Sequence, residues 1–235
     1  MKNKIFTALL CSSVLALGAC GGGHHANKHA SLSYDKGVDS ALQKAAQVAQ
    51  DQGASRESLL FYEELYRRNP KDVLATKDYT KALRHAGQVE KAEIILEAWQ
   101  GKDVSLDVEY GKVLLALGRF PEAQNIAHAV LKKDKDNAGA HHVLGLALDA
   151  NGLHAEAEKH LRLALENWQG SPVPVLNNLA LNLAAQDKKS EALALVDKAL
   201  IYAPHEEYLN KNRALIASLK GALSHMAPRP VAKPS

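Results

Sequence analysis

A spacing of about 34 residues constrains this chain more than any single motif does. Within Ala138–Ser171 small residues stand at Gly145, Gly152, Ala157 and Ala164, and Leu144, Leu148, Leu161 and Leu165 fill the places between. Apolar residues recur every three or four positions on either side of Asn151-Gly152, which marks two amphipathic helices joined by a turn. Such a pair cannot cover its own apolar faces, so it belongs in a stack. The same offsets return elsewhere. Asp39–Asp72 carries Ala46, Gly53, Ser58, Leu65 and Pro70, and Val73–Asp103 carries Tyr79, Leu83, Gly87, Ala92 and Leu96. Val104–Asn137 carries Tyr110, Gly111, Leu114, Gly118, Ala123 and Ala127; Val173–Glu206 carries Leu179, Ala180, Leu183, Ala192, Val196, Ala199 and Pro204. The second copy is shortened near Trp99–Asp103, and Pro172 is inserted before the fifth.

Glu207–Ser224 adds one further helical stretch. Leu209, Leu215, Ile216, Leu219 and Leu223 fall partly in step, with Lys211, Arg213 and Lys220 opposite them. A polar-faced last helix is what a stack needs to close its final apolar surface. His225–Ser235, with Pro228, Pro230 and Pro234, reads as a disordered tail.

Composition agrees with helices. Aromatic residues make up only 5% of the 235 residues while 46% are apolar, a balance that favours an all-α protein over a β fold. The formal charge of +3 falls to +1 once Lys2 and Lys4 are removed with a leader. A nearly neutral chain lacks the basic footprint that a nucleic-acid partner requires.

The N-terminus reads as a processing segment. Lys2 and Lys4 precede the apolar run Ile5–Leu17, which is too short to span a bilayer comfortably. Leu17-Gly18-Ala19-Cys20 resembles the cleavage box of bacterial lipoproteins. That resemblance implies a signal peptide over residues 1–19 and an acylated Cys20, palmitate included, as the first mature residue. The only other cysteine, Cys11, lies in the leader, so the mature chain forms no internal disulfide. Gly21 stands where an Asp would retain a lipoprotein at the inner membrane in the enterobacterial sorting rule. The resemblance therefore implies an outer-membrane anchor facing the periplasm. Residues 20–37 read as the lipidated cysteine and a flexible tether; His24, His25 and His29 on it have no fixed geometry for a metal.

The repeated offsets resemble the tetratricopeptide repeat family over Asp39–Glu206. That family has a small residue at position eight, Ala at twenty, a small residue at twenty-seven and Pro at thirty-two. Thr80 departs at position eight, Leu65, Trp99 and Val130 depart at twenty-seven, and only Pro70 and Pro204 keep the proline. The resemblance implies a right-handed α-solenoid of about five helix pairs over residues 38–224, plus a C-terminal capping helix. Position eight is read as the point where helix A meets helix B, which requires a small side chain.

In this family helix A lines an inner groove at positions two, five, nine, twelve and thirteen. Carried onto this chain, the groove begins polar at Gln43, Gln47 and Gln50. It turns basic at Lys77, Lys81, Arg84 and Lys112, then apolar at Leu115, Leu146 and Leu181, with His142 and Asn177 among them. An extended or helical partner segment, acidic at one end and apolar at the other, would fit it. The family's chaperone-type carboxylate clamp is not implied, since Lys77 is followed by Lys81 and not by Asn.

No reaction centre is legible. The chain has no phosphate loop, no His-Glu-x-x-His and no nucleophile elbow, so neither enzyme activity nor a cofactor is expected. Asp134–Gly139 begins like a calcium loop but lacks an oxygen at Ala138 and an acid at Gly145. His141 with His142, and His154 with His160, are spaced off one helix face and cannot pair as metal ligands within a helix. The combination of anchor, tether and repeats resembles the TadD lipoproteins of tight-adherence (Tad/Flp) pilus systems and the pilotin lipoproteins of type IV pili. It implies protein partners, an outer-membrane secretin or another pilus-assembly component, and membrane contact through the lipid. A β-barrel-assembly lipoprotein and an adaptor for peptidoglycan hydrolases share the same architecture.

Overall fold

The computed structural model describes the backbone of residues 28–219 and side chains from Lys36 onward. The leader, Cys20 and the tail beyond Leu219 lie outside the described residues. Residues 1–38 and 39–235 form two units. The described part of the first is the start of α1, Lys28–Asp51, which begins inside the stretch read as a tether.

The second unit is built from helices alone among the described residues. After α1 come α2 (Ser55–Arg68), α3 (Val73–His85), α4 (Val89–Glu97), α5 (Val104–Ala116) and α6 (Phe120–Lys133). They are followed by α7 (Ala138–Ala150), α8 (His154–Asn167), α9 (Val173–Ala185), α10 (Lys189–Tyr202) and α11 (Glu207–Ser218). The odd-numbered helices are the A helices and the even-numbered ones the B helices. The A helices α3, α5, α7, α9 and α11 pack on one another in sequence, and each B helix packs on the A helix that follows it. The B helices meet one another only through side chains among the described residues, as Lys91 of α4 donates to Glu63 of α2 at 2.9 Å and Arg162 of α8 pairs with Glu191 of α10. Inner helices that touch and outer helices that splay make a stack concave on its A side.

The turns recur for a backbone reason. Gly53, Gly87, Gly118 and Gly152 all adopt φ between +73° and +78°, and Asp187 takes the same place in the last pair at φ +63°. The next residue's N–H then closes onto a carbonyl five residues back, as from Leu153 to Leu148 at 3.0 Å and from Arg119 to Leu114 at 2.9 Å. Asp72, Asp103 and Asn137 cap the starts of α3, α5 and α7 through their side chains.

Helix packing explains the small residues, with one correction. A Cβ added at Gly145 would stand 2.8 Å from Leu161 Cγ and 3.3 Å from the Ala157 carbonyl oxygen, so there helix A does meet helix B. At Gly111 the clash is instead with Val143 of the next A helix, at 2.8 Å. Position eight is thus squeezed from two sides, and which neighbour is nearer changes along the stack. Thr80 is tolerated because its Oγ1, although buried, donates to the Thr76 carbonyl at 2.8 Å. The final core is closed by Leu209 and Ile216 of α11. Leu215 and Leu219, which the spacing assigns to the same stripe, remain exposed.

Candidate functional site

Two hollows open along the A helices. The larger, about 750 Å³, is bounded by Lys77 of α3, Ser105 and Lys112 of α5, Gly139 of α7 and Trp168 beyond α8, and three aspartates, Asp103, Asp134 and Asp136, share its lining. The smaller, about 240 Å³, lies between Gln43, Gln47 and Gln50 of α1 and Asp78, Lys81 and His85 of α3. Lys77 and Lys81, one helical turn apart, project one into each.

The four cations read from the sequence do not act alike. Arg84 Nε donates to Glu109 Oε1 at 2.7 Å, and Lys112 Nζ to Glu109 Oε2 at 3.2 Å. The Glu109 side chain is only 3% exposed, so it neutralises both from within the wall. The side chains of Lys77 and Lys81 make no hydrogen bond or ion pair among the described residues and line the two hollows. Asp103, across the larger hollow from Lys77, has its carboxyl held below the usual value by the Ser105 hydroxyl, with two backbone amides and the Lys77 charge adding to it.

The apolar and polar candidates are drawn into the wall. Leu115 is half-buried against the core of the first pairs, and Leu146 and Leu181 against the cluster of Leu161, Leu179 and Ile216. His142 is buried, with Asn178 Nδ2 donating to its Nε2 at 2.9 Å and the Trp168 ring edge-on at 5.3 Å. Burial, seconded by the Lys112 charge, pushes its pKa down to about 4, so it is a neutral acceptor. Asn177 is buried and accepts from Asn212 of α11 at 2.7 Å. Neither of these polar groups points free into the groove.

Sequence spacing misses Glu109 and Trp168. Glu109 sits at position six of its unit, next to groove position five and outside the counted set, and only its two cation partners mark it. Spacing within single helices also misses a pair across two of them: His141 Nδ1 and His160 Nδ1 lie 3.0 Å apart. His141 Nε2 donates to the Lys135 carbonyl at 2.9 Å, which turns its Nδ1 toward His160. Burial, then the neighbouring His141 and His128, lowers the His160 pKa. His154 instead pairs with Asp149 at 2.7 Å. Among the described residues no three His, Cys, Asp or Glu side chains converge as a metal site, and no helix is long and apolar enough to cross a membrane.

Comparisons with known proteins bear on the fold. Residues 110–172 match the tetratricopeptide repeat family. TTC0263, a thermophilic tetratricopeptide repeat protein of Thermus thermophilus, is similar in structure with a TM-score of 0.68 and 19% identity, over 77% of this chain and 100% of that one. The fold is a tetratricopeptide-repeat solenoid. MamA of Desulfovibrio magneticus RS-1 aligns with a TM-score of 0.48 and 17% identity, over 72% of this chain and 97% of its own. YrrB, described as a tetratricopeptide repeat protein with an unusual peptide-binding site, aligns with a TM-score of 0.47 and 15% identity, over 79% and 97%. No curated protein sequence matches the chain. Of the groove residues named by the repeat positions, Lys77 and Lys112 line the larger hollow and Lys81 the smaller; Arg84, Leu115, His142, Leu146, Asn177 and Leu181 line neither.

Proposed function

We propose that this solenoid is a non-enzymatic adaptor that holds a segment of a protein partner along its A-helix face. The observation that carries the reading is the pair Lys77 and Lys81. They stand on adjacent turns, each opening on a hollow and neither side chain in an ion pair or hydrogen bond, though aspartates share both linings, while the other two cations of the face are satisfied by Glu109. Unpaired charges set in a concavity steer and orient an oppositely charged partner. The leader and Cys20 support anchoring by lipid at the periplasmic side of the outer membrane. In that setting the adaptor supports assembly of a Tad/Flp-type pilus apparatus, with a secretin or another assembly component as its partner.

The test is affinity purification of the lipidated protein from detergent-solubilised envelopes, followed by identification of what co-purifies. Pilus-assembly components should be recovered, and Lys77→Glu with Lys81→Glu should deplete them without changing the helical circular dichroism. Recovery of cell-wall hydrolases in their place, or a partner set indifferent to the double reversal, overturns the reading. Cys20→Ser should move the protein from the membrane to the soluble periplasmic fraction.

A further inference from the structure

Two neighbouring joints of the stack carry the same three positions, one with a cation and one without. Where α2, α3 and α4 meet, Tyr79 donates its hydroxyl to Glu63 Oε1 at 2.8 Å. Lys91 Nζ donates to the same oxygen at 2.9 Å and stands 5.3 Å from the centre of the Tyr79 ring. Acid, phenol and ammonium complete one another there. In the repeat count they are the twenty-fifth residue of one unit and the seventh and nineteenth of the next. One joint further on, where α4, α5 and α6 meet, the same count names Glu97, Tyr110 and Glu122. The acid and the phenol recur, but a second carboxylate stands in place of the ammonium.

This joint is hollow. The shortened α4 ends at Glu97, whereas α2 runs on past Glu63 to Arg68. A cavity of about 230 Å³ opens there, lined by Glu97, Gln100, Tyr110, Arg119, Glu122 and Asn125. Tyr110 is only 6% exposed, yet its hydroxyl makes no hydrogen bond among the described residues. The side chains of Glu97, Gln100 and Asn125 make none either. Arg119, the one cation in the lining among the described residues, is already held by Glu122 and Glu93. Burial first, then the Glu93 and Glu97 charges, raise the Tyr110 pKa, with Arg119 alone acting against them.

A buried phenol without a partner, beside a carboxylate without a counter-ion, calls for a cationic hydrogen-bond donor. The cavity is smaller than the roughly 300–1,000 Å³ of pockets for drug-sized ligands, so it suits a group the size of a side chain. Among the described residues no three metal-ligating side chains converge, which favours an organic cation over a bare metal ion. We propose that this cavity binds a primary alkylammonium group in the place that the Lys91 ammonium takes one joint earlier. With the group bound, Glu97 accepts from it and from the Tyr110 hydroxyl, as Glu63 accepts from Lys91 and Tyr79. The Gln100 and Asn125 amide oxygens are further acceptors. The ammonium comes from a lysine side chain of another protein or from a free amine. None of the groove positions of the A helices lines this cavity, so the site stands or falls apart from the adaptor reading.

Isothermal titration calorimetry of the full-length protein tests it with two probes, pentylammonium and a Gly-Ser-Lys-Ser-Gly peptide. One-to-one binding with a Kd of about 1 mM or tighter is expected. Pentanol and the peptide acetylated on its lysine should bind at least about ten-fold more weakly. Tyr110→Phe and Glu97→Gln should each weaken binding of the probes about ten-fold. Tyr110→Phe removes only an oxygen that has no partner, so it spares the fold. Glu122→Lys rebuilds the earlier joint and should abolish binding by supplying the ammonium from within. A peptide that binds more tightly than pentylammonium assigns the site to a partner's lysine; the reverse order assigns it to a free amine. Absence of saturable binding by either probe, or binding indifferent to both Tyr110→Phe and Glu97→Gln, overturns the proposal. Displacement of the probes by a stoichiometric divalent metal ion overturns it as well.

Discussion

Asn212 on α11 donates its side-chain amide to Asn177 Oδ1 on α9 at 2.7 Å, and the acceptor is buried. It lies on the same side of α11 as the fully buried Leu209 and Ile216, and with them ties the last helix to α9.

Asn212→Ala leaves the Asn177 oxygen buried and without its partner. The expected loss is about 1–3 kcal/mol in urea unfolding. Amides of α11 should exchange faster than those of α7, since terminal units open first in a solenoid. Unchanged exchange along α11 would show that Leu209 and Ile216 alone hold the helix.

Gly145→Ala places a methyl 2.8 Å from Leu161 Cγ. Overpacking of this kind costs about 1–3 kcal/mol, against a helix-propensity gain of about 1 kcal/mol for replacing Gly. A lower urea midpoint is expected, with partial recovery when Leu161→Ala is added to make room. A more stable single variant would mean that the α7–α8 contact gives way easily.

These outcomes separate what was legible in the sequence from what was not. Gly145, Ala157 and the glycine turns announce helix pairs because backbone approach and positive φ leave few residue choices. The groove was legible only as a set of positions. Arg84 and Lys112 read as groove cations because their partner, Glu109, comes from a neighbouring strip of helix surface that a position count skips. His141 and His160 count separately on two helices, whereas their contact depends on how α7 crosses α8. Leu215 and Leu219 match an apolar stripe by spacing, but the stripe that is buried is the one through Leu209 and Ile216.

Glu109→Ala removes the shared acceptor of Arg84 and Lys112. Breaking a buried ion pair from one side costs about 3–5 kcal/mol, and the partial exposure of both cations lowers the expectation to about 1–3 kcal/mol. The change should appear in thermal unfolding at neutral pH. Glu109→Gln should lose less, since its amide oxygen still accepts. Equal stability of all three proteins would place the cations in water instead of on Glu109.

Acid should unfold the protein through His142. Its folded pKa of about 4 lies below the unfolded value near 6.5, so the unfolded chain takes up a proton that the folded one refuses. The stability held by the neutral ring is complete above about pH 6.5 and falls as pH drops toward 4, by up to about 3 kcal/mol. His142→Gln, which cannot titrate, should flatten that part of the stability–pH profile. An identical slope in the variant would assign the acid sensitivity to other groups.

No helix of the described stack packs on a partner more than two elements away along the chain. Such an array carries load in series. Pulled from its two ends, every junction bears the same force, and the weakest parts first while the others hold their shape. Its extension curve should be a succession of small steps, one helix pair at a time, where a domain with a single interlocked core would break once.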